Sequence, residues 1–270
     1  MADQVVIAGA GDVGGRLARL RAAKGDEVLA LRRRQVPAGI PGVRCLAADL
    51  LSGEGLAGLP RRPTAVVFCA APDARTPSAY RTLFLDGVSR LLDAFDAPPL
   101  RFLFVSSTAV YGEDRGEWVD ETTPPRPPRF NGEILLAAES ALAARCAGAV
   151  VVRFSGLYGP GREAMLGRAR EDRPGPRRWS NRIHVEDAAQ ALSHLLELAD
   201  PGPVYLGSDD RPALECELID WLRGRDGLPP IGGEGEEHGR RVRNARLRAR
   251  GWRPVYPDYR AGYAALTGRV

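Results

Sequence analysis

Lysine is almost missing: Lys24 is the one lysine in 270 residues, and the remaining 37 basic residues are arginine. Leu20 stands four positions before it, so no tyrosine–lysine pair exists at helical spacing. Arginine stays charged and forks onto carboxylates or phosphates where lysine does not, although a bias toward arginine across the chain is a simple source of the count. No apolar run approaches the roughly 20 residues that cross a membrane. The opening residues hold neither a basic segment nor a small-residue cleavage site, so no signal peptide is expected and the protein is expected to be cytoplasmic. Cys45, Cys69, Cys146 and Cys216 are far apart and fit neither a zinc spacing nor a disulfide framework. The basic run from Arg240 to Arg250 has no interleaved aromatic platform and no recognised reader fold, so nucleic-acid binding is not expected.

What is present is an ordinary globular composition, 44% hydrophobic and 27% charged, in a chain long enough for one α/β domain with a small appended lobe. Short apolar or β-branched runs at 5–8, 27–31, 43–47, 65–69, 101–106 and 149–154 alternate with helical patterns at 13–23, 78–95 and 133–144. This alternation predicts βαβ units and a Rossmann-type doubly wound parallel sheet. Residues 1–154 read as a dinucleotide-binding core. Residues 155–270 read as the remaining core elements interleaved with a small C-terminal substrate lobe, with a loop-rich stretch from 155 to 182, a helix from 185 to 198 and a last strand at 204–206. The Gly, Pro and Glu of 229–239 predict an exposed, mobile connection.

Gly9, Gly11 and Gly14 lie between the first strand and first helix. The first can make the tight turn, the second admits a pyrophosphate to the backbone, and the third lets the helix pack on the strand. Asp12 and Val13 complete the candidate loop. Where an NAD-specific protein places an acid at the end of the second strand, this chain has Arg32, Arg33 and Arg34, which suit a 2′-phosphate. NADP is therefore expected over NAD. Asp49 and Leu50, Ala70 and Ala71, and Ser106 are placed by their strands to meet the rest of the cofactor.

Taken with FVSSTAVYGE from Phe104, VVRFSGLYGPGR from Val151, NRIHVEDAAQAL from Asn181 and RNARLRARGWRP from Arg243, the glycine motif gives the chain its family likeness. It resembles the extended and atypical short-chain dehydrogenase/reductases of the NAD-dependent epimerase/dehydratase family, nearly end to end, and is most similar to the YeeZ-like subgroup. The resemblance implies that Ser107 hydrogen-bonds a reacting oxygen. It also puts Asn131 and Leu135 where the family carries its tyrosine acid/base and the lysine that lowers its pKa, and neither can transfer a proton near neutrality. Tyr111, just past the fifth strand, and His184, at a strand–helix junction beside the helix-capping candidate Asp187, are the other candidate catalytic residues. Arg162, Arg178 and Arg182 could receive an anionic small-molecule substrate, in keeping with the family's nucleotide-sugars. The resemblance further implies a homodimer through the 133–144 helix. Two functions fit: a reductase or epimerase working without the Tyr–Lys pair, or a catalytically silent NADP-binding sensor or scaffold.

Overall fold

The computed structural model describes residues 4–33 and 39–268, and Arg34 lies outside them. The chain forms two compact units. The first comprises Met1–Tyr111, Pro125–Arg153 and Ala189–Tyr205, and the second Gly112–Pro124, Phe154–Ala188 and Leu206–Val270.

The first unit is built on β1 (Gln4–Ala8), β2 (Glu27–Arg32), β3 (Val43–Ala47), β4 (Ala65–Phe68) and β5 (Arg101–Ser107). With β7 (Ala149–Phe154) and β11 (Val204–Gly207) they make a seven-stranded sheet in the order β11-β7-β5-β4-β1-β2-β3. Around β1 the pairings are parallel and in register, Ile7 lying opposite both Ala30 and Val67. This is the doubly wound arrangement, and the strand order reverses between β1 and β4, where open α/β sheets bind ligands. Both strands are apolar and buried along nearly their whole length because helices cover both faces. β3 forms the edge and is correspondingly exposed.

Helix α1 (Asp12–Ala23) buries Leu17 and Ala18, and also Arg21. That guanidinium is held by Asp26 at 2.5 Å and Glu197 at 2.5 Å, and it reaches the Ser193 carbonyl at 3.4 Å. Lys24 pairs with the same Glu197 at the surface, so the lone lysine is a partner in a helix-tethering cluster. The helical pattern over 78–95 is divided. Thr76 caps α2 (Pro77–Arg81), a π-helical stretch covers Thr82–Gly87, and α3 (Val88–Asp93) follows. The widened turn ends at Gly87, where a Cβ would stand 3.3 Å from the Leu50 carbonyl oxygen. Helix α4 (Phe130–Arg145) then leads into β7.

The second unit departs further from the sequence expectation. The stretch 155–182, read as loop, holds β8 (Gly156–Tyr158), α5 (Ala164–Ala169), β9 (Gly175–Ser180) and the start of β10 (Arg182–His184). The 229–239 segment, read as a mobile connection, carries most of the ten-residue strand β13 (Gly233–Val242). β13 lies between β9 and β6 (Arg115–Val119) in a four-stranded sheet completed by β12 (Ala213–Leu214). Its glycines answer to crowding. A Cβ on Gly233 would meet Cys216 Sγ at 2.7 Å, and Gly239, with φ +83°, sits 2.9 Å from the Trp179 carbonyl oxygen by the same construction. Composition that signals disorder here serves strand packing.

The core of this unit joins Tyr158, Leu218, Ile219, Leu222, Tyr259 and Tyr263, contributed in part by α7 (Glu215–Arg225) and α9 (Tyr259–Thr267). Tyr158 and Tyr263 stack at 4.8 Å between ring centroids. Gly262 permits this, since any Cβ there would fall 1.9 Å from the Tyr158 hydroxyl oxygen. The chain passes between units within α6 (Val185–Glu197) and within β11. Among the described residues no helix is long and apolar enough to cross a membrane.

Candidate functional site

At the switch point two glycines of the loop are packed chiefly against backbone. Gly9 has φ +100°, a left-handed conformation that glycine adopts without a Cβ penalty, and a Cβ on it would lie 2.4 Å from the Ala70 backbone. Gly14 backs onto the same turn, where a Cβ would stand 2.3 Å from the Gly9 carbonyl oxygen and 2.7 Å from Cys69 Sγ. Cys69 donates its thiol proton to that carbonyl at 3.2 Å, and burial pushes its pKa up to about 12, so it is a neutral donor. The Ala10 amide bonds the Leu31 carbonyl at 3.1 Å, which ties the loop to β2.

Gly11 is different: a Cβ there meets nothing within 4 Å. It is also the N-cap of α1, and no side chain caps the helix at that position. The first-turn amides and the positive end of the helix dipole therefore face open space beside Gly11, with Asp12 drawn back onto Arg16 at 2.8 Å. Such a cradle fits a pyrophosphate. Arg32 extends over the same turn, its Nη2 3.6 Å from where a Cβ on Gly15 would stand. Ala70 and Ala71 follow β4, the first half-buried and the second exposed.

Beyond β3, Asp49 closes a turn: its carboxylate accepts from the Leu51 amide at 2.9 Å and its carbonyl from the Gly53 amide at 2.8 Å. Leu50 is buried, and its carbonyl accepts from Arg90 at 3.3 Å. Gly9, Gly11, Asp12, Val13, Gly14, Arg32, Ala70 and Ala71 thus gather at the carboxyl ends of β1, β2 and β4. Arg33 is turned to Asp73, whose two carboxylate oxygens both accept from it.

The candidate catalytic residues are divided between the units, Ser107 and Tyr111 in the first and His184 in the second. Ser107 caps a short turn, its hydroxyl oxygen accepting from the Ala109 amide at 3.1 Å, which leaves the hydroxyl proton to donate. Ser106 donates to Glu139 at 2.5 Å and is buried. Tyr111 is fully buried, and its hydroxyl accepts from Arg153 Nη1 at 2.8 Å. Arg153 also engages the Glu139 carboxylate, through Nη2 at 2.6 Å and Nε at 3.1 Å. Ser106, Tyr111, Glu139 and Arg153 are therefore one buried polar network within the first unit. The sequence reading missed its two charged members, although a signal was there: Arg153 interrupts the β-branched run of β7 and Glu139 the alanine- and leucine-rich α4, and opposite charges inside apolar elements require partners. Asn131 and Leu135, also on α4, are buried. Gly132 lets that helix pack closely on the turn after β5, since a Cβ there would meet the Ala109 carbonyl oxygen at 2.3 Å.

His184 belongs to the second unit, where it is 2% exposed and lies against Tyr256 at 4.1 Å and Tyr158 at 5.2 Å between centroids. Its Nδ1 accepts from the Glu186 amide at 3.3 Å, so the neutral ring carries its proton on Nε2. Asp187, expected to cap α6, instead accepts from the amides of Val255 at 2.6 Å and Tyr256 at 3.0 Å. Burial raises its pKa to about 6 against those two bonds. Of the proposed anion-binding arginines, Arg178 pairs with Glu215 at 2.5 Å and Arg182 is buried.

Protein YeeZ of Escherichia coli K12 is 34% identical over 134 residues, 49% of this chain, and the chain spans 48% of that curated relative's length. A solved structure from Methylobacillus flagellatus, assigned to the NAD-dependent epimerase/dehydratases, is 38% identical with a TM-score of 0.88, covering 99% of this chain and 98% of the other. MoeE5, solved in complex with UDP-glucose and NAD, is 25% identical with a TM-score of 0.79, covering 97% and 96%. Residues 5–206 match the model of the NAD dependent epimerase/dehydratase family, to which this chain belongs.

Proposed function

We propose that the chain binds NADP through the Gly9–Gly14 loop and acts as an atypical short-chain reductase or epimerase on a carbonyl substrate of the nucleotide-sugar type. The observation that carries the reading is Gly11: it faces open space over an uncapped helix start, while Gly9 and Gly14 are closed by backbone. Arg32 lies over that helix turn, and the chain places Arg32 and Arg33 at the end of β2. Bound nicotinamide would supply hydride transfer, and the chain's contribution is then placement and polarisation. Ser107 suits polarisation, because the Ala109 amide fixes its oxygen and leaves its proton directed elsewhere. Asn131 and Leu135, in the positions of the proton-transfer pair, contribute none.

A second reading, a silent NADP-binding sensor or scaffold, is favoured by one observation. The Tyr111 hydroxyl is buried and accepts from Arg153, so that phenol is engaged in a buried network.

Thermal unfolding with NADP, NADPH, NAD and no ligand tests the binding claim. At about 100 times its dissociation constant a ligand adds roughly 2.7 kcal/mol, and the midpoint rises by several degrees. No shift with any of the three would end the cofactor reading, and a larger shift with NAD would reverse the role of the arginines. For the chemistry, NADPH oxidation against carbonyls and nucleotide-sugars is expected to fall about 100-fold in Ser107→Ala, the scale of losing one polarising donor. Turnover indifferent to that change would remove Ser107 from the mechanism, and inactivity across a broad panel would favour the sensor.

A further inference from the structure

The Arg33–Asp73 pair has no part in the cofactor reading as it stands, although it joins the end of β2 to the segment after β4. Arg33 Nη2 donates to Asp73 Oδ1 at 2.5 Å, and Nη1 donates to the other oxygen, so one carboxylate takes the end-on Nη1/Nη2 edge of the guanidinium. Both side chains are about half exposed, at 51% and 57%. The hydrogen bond to Asp73 holds the guanidinium's pKa above its ordinary value, opposed by burial and assisted by the charges of Asp73 and Asp49.

We infer that Asp73 is a specificity-determining residue that competes with the 2′-phosphate of a bound dinucleotide for the Nη1/Nη2 edge of Arg33. The inference rests on the NADP reading above. A phosphate monoester offers oxygens to a planar guanidinium in the same two-pronged geometry as a carboxylate. One edge cannot hold both, so a 2′-phosphate must displace Asp73 before it gains the Nη1/Nη2 edge of Arg33. An unphosphorylated ribose has no group that claims that edge and leaves the pair in place. Asp73 therefore weakens binding of the phosphorylated cofactor alone, while Arg32, turned toward the first turn of α1, stays outside the exchange. Exposed ion pairs are weak, which bounds the competition at about fivefold in affinity.

The test is titration of the full chain and of Asp73→Asn by calorimetry with NADP, NAD, adenosine 2′,5′-bisphosphate and AMP. Asp73→Asn is expected to tighten NADP and the bisphosphate by about three- to fivefold and to leave NAD and AMP nearly unchanged. Asp73→Ser should do the same, which guards against an effect peculiar to one replacement. In an Arg33→Ala background the Asp73→Asn change should shift the NADP-to-NAD affinity ratio less than it does in the parent, because the edge it competes for is gone. Equal changes for phosphorylated and unphosphorylated ligands, or weaker NADP binding in both Asp73 variants, would overturn the competition. If the unaltered chain binds neither dinucleotide, the cofactor reading itself falls, an outcome distinct from intact binding with an unchanged ratio.

Discussion

Replacing Arg153 with methionine is expected to lower the unfolding free energy by about 3–5 kcal/mol, the range for removing one partner of a buried ion pair. The guanidinium makes four hydrogen bonds, three to the Glu139 carboxylate and one to the Tyr111 hydroxyl, and it lies 5.2 Å from the Tyr111 ring centroid. Its removal leaves Glu139 buried with the Ser106 hydroxyl as its remaining side-chain donor. A chemical denaturation curve at neutral pH measures the loss, and the thermal midpoint should fall by about 6–20 °C. Joining Glu139→Leu to Arg153→Met should recover much of it, because the desolvation of two charges disappears with the pair. A single variant that loses less than about 1 kcal/mol, or a double variant no better than the single, would mean that the network does not hold α4 to β5 and β7.

That network also marks how far the sequence could be read. The β-branched runs of β1, β2 and β4 and the glycine spacing announce a parallel sheet and its binding turn, because both follow from local pattern. Arg153 and Glu139 escaped the sequence reading: each is one charge in an apolar element, and their pairing depends on a contact between residues 14 apart on different elements. β13 was hidden for a related reason. Its partners β9 and β6 are remote, its face is exposed, and its Gly and Glu content resembles a loop. Only the neighbours, Cys216 and Trp179, explain why glycine stands at 233 and 239. The Asp73 partner of Arg33 was equally unreadable, since the sequence places arginines at the end of β2 without saying what they face.

Gly11→Ala and Gly14→Ala are expected to separate folding from ligand binding within one loop. At Gly14 the added carbon would overlap the Gly9 carbonyl oxygen, a backbone atom fixed by β1, and the Cys69 sulfur behind it. Helix α1 would have to move off the sheet, which overpacking studies put at about 1–3 kcal/mol or more. Dinucleotide affinity should fall with it, since the same turn carries the phosphate-facing amides. At Gly11 the methyl group enters open space, and the backbone there has a negative φ of −77°. Stability without ligand should therefore stay within about 0.5 kcal/mol of the parent. The same open space is where a pyrophosphate would lie against the helix start, so Gly11→Ala should abolish the thermal shift given by NADP. A destabilised Gly11→Ala would show that the loop is crowded where the structure leaves it open. A stable Gly11→Ala that still responds fully to NADP would place the phosphates elsewhere, and the cofactor reading would lose the residue on which it most depends.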